Sequence, residues 1–112
     1  MSSVSFAPPE KINLYHYFGL EVFLLQSDRY PVHVYAVRED RMAVASVSFQ
    51  QGILSGIQIA AVPDIAWLDE QDQCWFRRII EDHLSEILKS WIDVYVYGKP
   101  VTAEHLNKQI HI

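Results

Sequence analysis

Asp28, His33 and Tyr35 fall within one short stretch, Asp28-Arg29-Tyr30-Pro31-Val32-His33-Val34-Tyr35. A carboxylate, an imidazole and a phenol at that spacing could form a metal site or a proton-transfer pair. In an extended strand His33 and Tyr35 share a face about 7 Å apart. Asp28 and His33 are the candidate metal ligands, though one Asp and one His lack the ligand density that zinc needs. The plainer reading has Asp28 capping a turn, Pro31 setting the strand entrance and His33 half-buried. His83 is the second candidate. It lies on the apolar side of a helical pattern, with Glu86 three residues on and able to pair with it. Its functional reading is a pocket between helix and sheet near His33. Its plainer reading is a core histidine bonded to the backbone or to Glu86. Cys74, near the start of the same helix, has a setting common to reactive thiols. No motif surrounds it, so a buried structural thiol is expected. The candidate chemical set is therefore Asp28, His33, Tyr35 and His83. The chain has no Gly-rich phosphate loop, CxxC, GxSxG or HExxH, and no cofactor is implied.

The element that must position His83 runs from Asp69 to Gly98. At roughly 100° per residue, Phe76, Ile80, His83, Leu84, Ile87, Leu88, Trp91, Val94 and Tyr95 share one sector. Arg78, Glu81, Asp82, Ser85, Lys89 and Asp93 fall opposite. Asp69 is the expected cap, with Asp72 in the position of a capping-box partner. Gly98 and Pro100 end the helix, and the poor helix formers Val94 to Tyr97 predict fraying past Ile92. Before the helix come four strand patterns: Leu20–Leu25, Val32–Arg38, Arg41–Phe49 and Ile53–Ile59. Glu39-Asp40 reads as a tight hairpin turn without the favoured Gly. Thr102 caps an expected closing helix from Ala103 to about Gln109. The expected fold is α+β: an antiparallel sheet of about four strands, one long helix packed on one face and a short C-terminal helix.

The 112 residues suit one domain, expected over 12–112 behind a loose arm of 1–11. Half the residues are hydrophobic and 12% aromatic, enough for a real core. A net charge of −5 argues against broad binding to nucleic-acid phosphates. One cysteine excludes an internal disulfide and fits a reducing compartment. With no signal-peptide pattern and no apolar run near the roughly 20 residues of a membrane span, the expected location is cytoplasmic, with no membrane partner.

Phe18-Gly19-Leu20, then Asp28, Pro31 and His33, then His83, Glu86, Ile87, Leu88 and Trp91 occur in an order that resembles a small bacterial family, the domain-of-unknown-function family 4160. The resemblance covers about Tyr17 to Trp91, and the helix motif is its more specific half. The family's turn usually reads Asp-His-x-Pro-Pro-His-x-His. Here Arg29, Val32 and Tyr35 replace its first His, second Pro and last His, so only His33 survives of that histidine cluster. The resemblance also implies a protein partner, since such proteins are often encoded beside another small protein in toxin–antitoxin-like arrangements.

Two main readings follow. The first is a non-catalytic protein-interaction or regulatory module, with a protein partner or a homo-oligomer through an edge strand or the last helix. Tyr15, Tyr17, Tyr30, Tyr95 and Tyr97 are the side chains expected to supply the interface. The second is a metal-dependent or acid–base enzyme using Asp28, His33, Tyr35 and His83 around one pocket. The incomplete constellation weighs against it. A weaker third reading is nucleic-acid binding through Arg29, Arg38 and Arg41 on the hairpin.

Overall fold

The computed structural model describes residues 11–25, 32–51 and 53–110. Asp28, Arg29, Tyr30 and Pro31, and all of the expected N-terminal arm except Lys11, lie outside them. The elements in chain order are β1 (Lys11–Tyr17), β2 (Leu20–Leu25), β3 (His33–Arg38), β4 (Arg41–Gln50), β5 (Ile53–Ala61), β6 (Ala66–Trp67), α1 (Glu70–Asp82), α2 (Leu84–Tyr95) and β7 (Glu104–His105). They form one seven-stranded mixed sheet of order β5-β4-β3-β2-β1-β7, with β6 pairing β4. β1 to β5 are antiparallel neighbours. β6 and β7 add in parallel at β4 and β1.

This overturns the expected architecture at three places. The sheet has seven strands and is mixed, rather than about four and antiparallel. β1 escaped because its two-residue period breaks. The pairing with β2 shifts between Asn13 and Tyr15, and Leu14 and Tyr15 are both buried in the core. A bulge of that kind erases the alternation by which a strand is recognised. The long helix is two helices, broken at His83 (φ −120°, ψ 22°). The short C-terminal helix is absent. Glu104 and His105 instead pair with Tyr15 and His16, and the Leu106 N–H donates to the His16 carbonyl at 2.8 Å. Seven residues barely nucleate a helix, whereas here the open edge of β1 offers hydrogen bonds and the core accepts Leu106 and Ile110.

The turns follow from residue type. Phe18 and Gly19 both take positive φ, 44° and 89°, as a tight two-residue hairpin between β1 and β2 demands. Glu39 takes φ 55° in the hairpin closing Arg38 against Arg41. Asp69 caps α1, accepting from the Asp72 N–H at 2.8 Å. The Asp72 side chain does not complete a capping box. It is buried and accepts from Arg38 Nε at 2.8 Å, while Arg38 Nη1 donates to the Phe18 carbonyl. Gly98 turns the chain at φ 65° after α2, which reaches Tyr95 despite its β-branched end.

The core lies between one face of the sheet and the helices. Leu20, Val22 and Leu24 of β2, Val34 and Ala36 of β3, and Ala43, Ala45 and Val47 of β4 meet Phe76, Ile79, Ile80 and Ile87. Phe76, Ile79, Ile80 and Ile87 are fully buried, each worth roughly 1.5–3 kcal/mol. Leu84, Leu88, Trp91 and Tyr95 pack around them partly buried. Among the described residues no helix is long and apolar enough to cross a membrane.

Candidate functional site

His83 occupies the joint between α1 and α2. The backbone bonds on either side survive, with the His83 N–H on the Ile79 carbonyl and the Ile87 N–H on the His83 carbonyl. Kinks usually arise at Pro, at Gly/Ser pairs, at bulges or where a side chain intrudes. The segment Asp82-His83-Leu84 contains neither Pro nor Gly, and the contact made at this joint is with the sheet. The Tyr15 ring of β1 lies against the His83 ring, with centroids 4.8 Å apart.

Glu86, one turn into α2, joins the two. Tyr15 Oη donates to Glu86 Oε1 at 2.8 Å, and His83 Nδ1 lies 3.0 Å from the same oxygen. An ionised carboxylate only accepts, so Nδ1 carries the imidazole proton and Nε2 is left as the ring's other polar atom. Both hydrogen bonds, that of Tyr15 first and that of His83 next, hold the Glu86 carboxyl below the ordinary glutamate range against a small opposing effect of burial. Burial pushes the Tyr15 phenol well above its ordinary value, helped by the Glu86 hydrogen bond and the charges of Glu86 and Glu104. The Glu86 side chain is 61% exposed and that of His83 26%, so the cluster sits at the rim of the core.

Two clefts flank it. The larger, about 630 Å³, is lined by His83 with Arg78, Asp82, His105, Leu106 and Lys108, among others. The smaller, about 180 Å³, is lined by Tyr15, Glu86 and Glu104 with residues of α2 and the tail. His105 of β7 stacks on His16 of β1 with centroids 4.8 Å apart. Three imidazoles thus gather around the short parallel pairing of β1 and β7.

The other candidates lie elsewhere. His33 and Tyr35 face away from the helices, because the intervening Val34 and the next residue Ala36 point into the core. Tyr35 stacks on Phe23 with centroids 5.7 Å apart. His33 and His83 are therefore on opposite faces of the sheet. Asp28 is outside the described residues. Among those residues, no group of three or more His, Cys, Asp and Glu side chains is placed to hold a metal ion. Cys74 is exposed rather than buried.

Of the tyrosines expected to supply an interface, three are tied into the fold. Tyr15 and Tyr17 are 5% and 1% exposed, and Tyr17 Oη accepts from the Ile110 N–H at 2.9 Å. Tyr95 Oη donates to the Leu25 carbonyl. Tyr97 alone of the described four is on the surface, 65% exposed with Lys99 over its ring. Tyr30 is outside the described residues. Of the hairpin arginines, Arg38 is committed to Asp72 and Phe18, and Arg41 donates to the Trp67 carbonyl at 3.2 Å. Both ties are structural and leave little for phosphate. No protein-family model, curated protein or solved structure matches the chain.

A second feature of the surface was not legible as a site. β5 is an outer strand of the sheet, bonded to β4 on one side. From Met42 to Pro63 the sequence has no charged residue. Phe49, Ile53 and Leu54 are exposed at the hairpin end of β5, and Trp67 is exposed toward its other end. Midway along β5, Arg77 of α1 reaches the Ile57 carbonyl with Nη1 at 2.9 Å. Next to it Ile59, Trp67, Cys74, Arg77 and Glu81 help line a groove of about 410 Å³. The signal in the sequence is the uncharged run itself, since edge strands are ordinarily guarded by Lys, Pro or a short length.

Proposed function

We propose that this protein is a non-catalytic interaction module that accepts an extended segment of a protein partner as an added strand along β5. The observation that carries the reading is the edge itself. β5 is nine residues long and holds no charge and no proline, whereas the opposite edge, β7, is two residues long and is formed by Glu104 and His105. An added strand gains main-chain hydrogen bonds along its length and side-chain selection at alternate positions. Ile57 and Ile59 on the helix side, with Trp67 nearby, would receive apolar side chains of the partner.

The arginine at the centre argues for a different protein rather than a second copy. Ile57 is the midpoint of Ile53–Ala61, so an antiparallel twofold pairing along the full strand would bring two Arg77 guanidinium groups together. Like charges placed face to face disfavour a pairing. A partner strand with a carboxylate near its middle would meet Arg77 favourably. The family resemblance, with its implied small protein partner, points the same way, and a regulatory pair of the toxin–antitoxin kind is one setting for such a module in a bacterial cytoplasm.

The test uses two synthetic extended apolar peptides that differ only in a central Glu or Lys. The Glu peptide should bind with at least tenfold higher affinity by calorimetry. The Gln58→Lys/Ala60→Lys double variant, which charges an exposed face of β5, should bind neither, and Arg77→Ala should lose the preference for Glu. Light scattering of the protein alone should give a monomer. A dimer broken by the β5 double variant, or no affinity for either peptide, sinks the heterologous-strand reading.

A further inference from the structure

We propose that Arg77 is a latch on the β5 edge: it caps the central outward carbonyl in the free protein, and strand addition requires it to swing off that carbonyl onto Glu81. The inference rests on the β5 reading and deepens it, because it concerns how that edge refuses or admits a strand. The phase of the edge follows from β4. The Val47 N–H donates to the Val32 carbonyl at 3.1 Å, so the backbone polar groups of Val47 turn toward the β3 side. Val47 is the partner of Ile57 across β4 and β5. In an antiparallel ladder two facing residues exchange both bonds or neither. Ile57 therefore turns its N–H and C=O away from β4, off the edge of the sheet. Ile59 and Ala61, opposite Ala45 and Ala43, follow the same phase. These are the groups that an added strand would bond.

Arg77 stands on the first of them. Its Nη1 donates to the Ile57 carbonyl at 2.9 Å, inside the roughly 4.8 Å that separates neighbouring strands. An incoming backbone meets the guanidinium before it meets the acceptor. Edge strands are commonly guarded by their own charged side chains. The run from Met42 to Pro63 holds none, so here the guard comes from α1 on a long stem. The same helix supplies a second seat. Arg77 and Glu81 are four residues apart, neighbours on a helix face, and line the same groove of about 410 Å³. Arg78, one residue on, takes the acid at that spacing and pairs with Asp82 at 3.2 Å. Arg77 instead leaves Glu81 for the sheet, and among the described residues Glu81 makes no ion pair. Glu70, the other acid of the groove, lies about two turns away along α1. With Arg77 on Ile57 the edge is closed; with Arg77 on Glu81 it is clear. No charge on the partner is needed for the exchange.

The experiment uses the same extended apolar peptide with a central Gln, so that partner charge plays no part. Calorimetry compares the full wild-type chain with Arg77→Met, Glu81→Gln and the double variant. Both side chains are exposed, so neither change reaches the core. Arg77→Met keeps the apolar stem and removes the donor. It should bind the Gln peptide roughly three- to tenfold more tightly than wild type. Glu81→Gln removes the second seat and should bind it about twofold more weakly. With Arg77→Met in place, Glu81→Gln should change nothing, a coupling that two independent surface residues would not show. Binding by Arg77→Met no tighter than wild type, unchanged binding by Glu81→Gln, or a Glu81 effect that persists in the double variant overturns the latch. A preference of wild type for the Glu peptide over the Lys peptide would then leave strand addition at β5 standing. If neither wild type nor Arg77→Met binds any of the three peptides, the β5 reading itself fails and the latch falls with it.

Discussion

Tyr15 donates to a carboxylate 71 residues away, and that one hydrogen bond ties β1 to α2. Its effect on stability depends on pH in a way that can be signed. The folded phenol has its pKa raised above the ordinary value of 10.0. Stability from this group is therefore fully present below about pH 10, where both states hold the proton, and is lost as pH climbs toward the folded value. Glu86 works the opposite way. Its lowered value gives stability above the ordinary carboxylate range that is lost as pH falls toward the folded value. Tyr15→Phe removes the donor. The expected cost near neutrality is about 1 kcal/mol, that of an ordinary hydrogen bond and below the range for one to a charged group, because Glu86 remains largely solvated. The difference between wild-type and variant stability should then shrink as pH rises above about 10, which urea melts across pH would show. A constant difference would mean that the phenol ionises alike in both states. The spacing of His83 and Glu86 was legible in the sequence because helical neighbours follow arithmetic. Tyr15 was not, since nothing local in Leu14-Tyr15-His16 announces a partner so distant in the chain.

At the scale of elements, β2 could be read as an apolar run, β3 from alternation, and β4 and β5 from composition and turn positions, with the Asp69 cap and Gly98 stop from residue type alone. What failed to show was anything imposed by a neighbour. The break at His83 carries no helix-breaking residue, and β1 hides behind a bulge that buries two adjacent side chains. The tail pairs as β7 because β1 presents an open edge, a fact of assembly and not of local propensity. The hairpins give a sharper test of local reasoning. Gly19 sits at φ 89°, which favours glycine, and a Cβ there would lie 2.7 Å from Arg38 Nη1 and push the guanidinium off the Phe18 carbonyl. Glu39 sits at φ 55° with no such compensation. A non-glycine residue in the left-handed region costs roughly 1–2 kcal/mol, partly offset by the greater freedom glycine has when unfolded. Glu39→Gly should accordingly raise stability by about 0.5–1 kcal/mol. Thermal melting with no rise, or a fall, would mean that the Glu39 side chain has a stabilising role that its exposed position does not suggest.

For the whole molecule, the question is what closes the sheet on the side away from β5. β1 would be an edge strand without the tail, and Tyr15 and His16 would present unpaired backbone. The tail satisfies that edge with a two-residue strand and returns Val101, Leu106 and Ile110 to the core as partly buried side chains. The Ile110 N–H also ends on the hydroxyl of Tyr17, which is otherwise sealed. Three half-buried aliphatic residues are worth roughly 3–4 kcal/mol together, and small domains commonly hold only about 5–15 kcal/mol in all. A chain ending at Pro100 should therefore melt on the order of 10–15 °C lower, with β1 amides losing hydrogen-exchange protection before those of β2 and β3. It should also associate through the newly exposed edge, so the loss of stability and a concentration-dependent mass by light scattering are expected together. If the shortened chain melts like the full one and stays monomeric, the tail is not what guards this edge. The contrast with β5 would then lose its meaning, because the proposal for β5 rests on one edge being closed by design and the other left open.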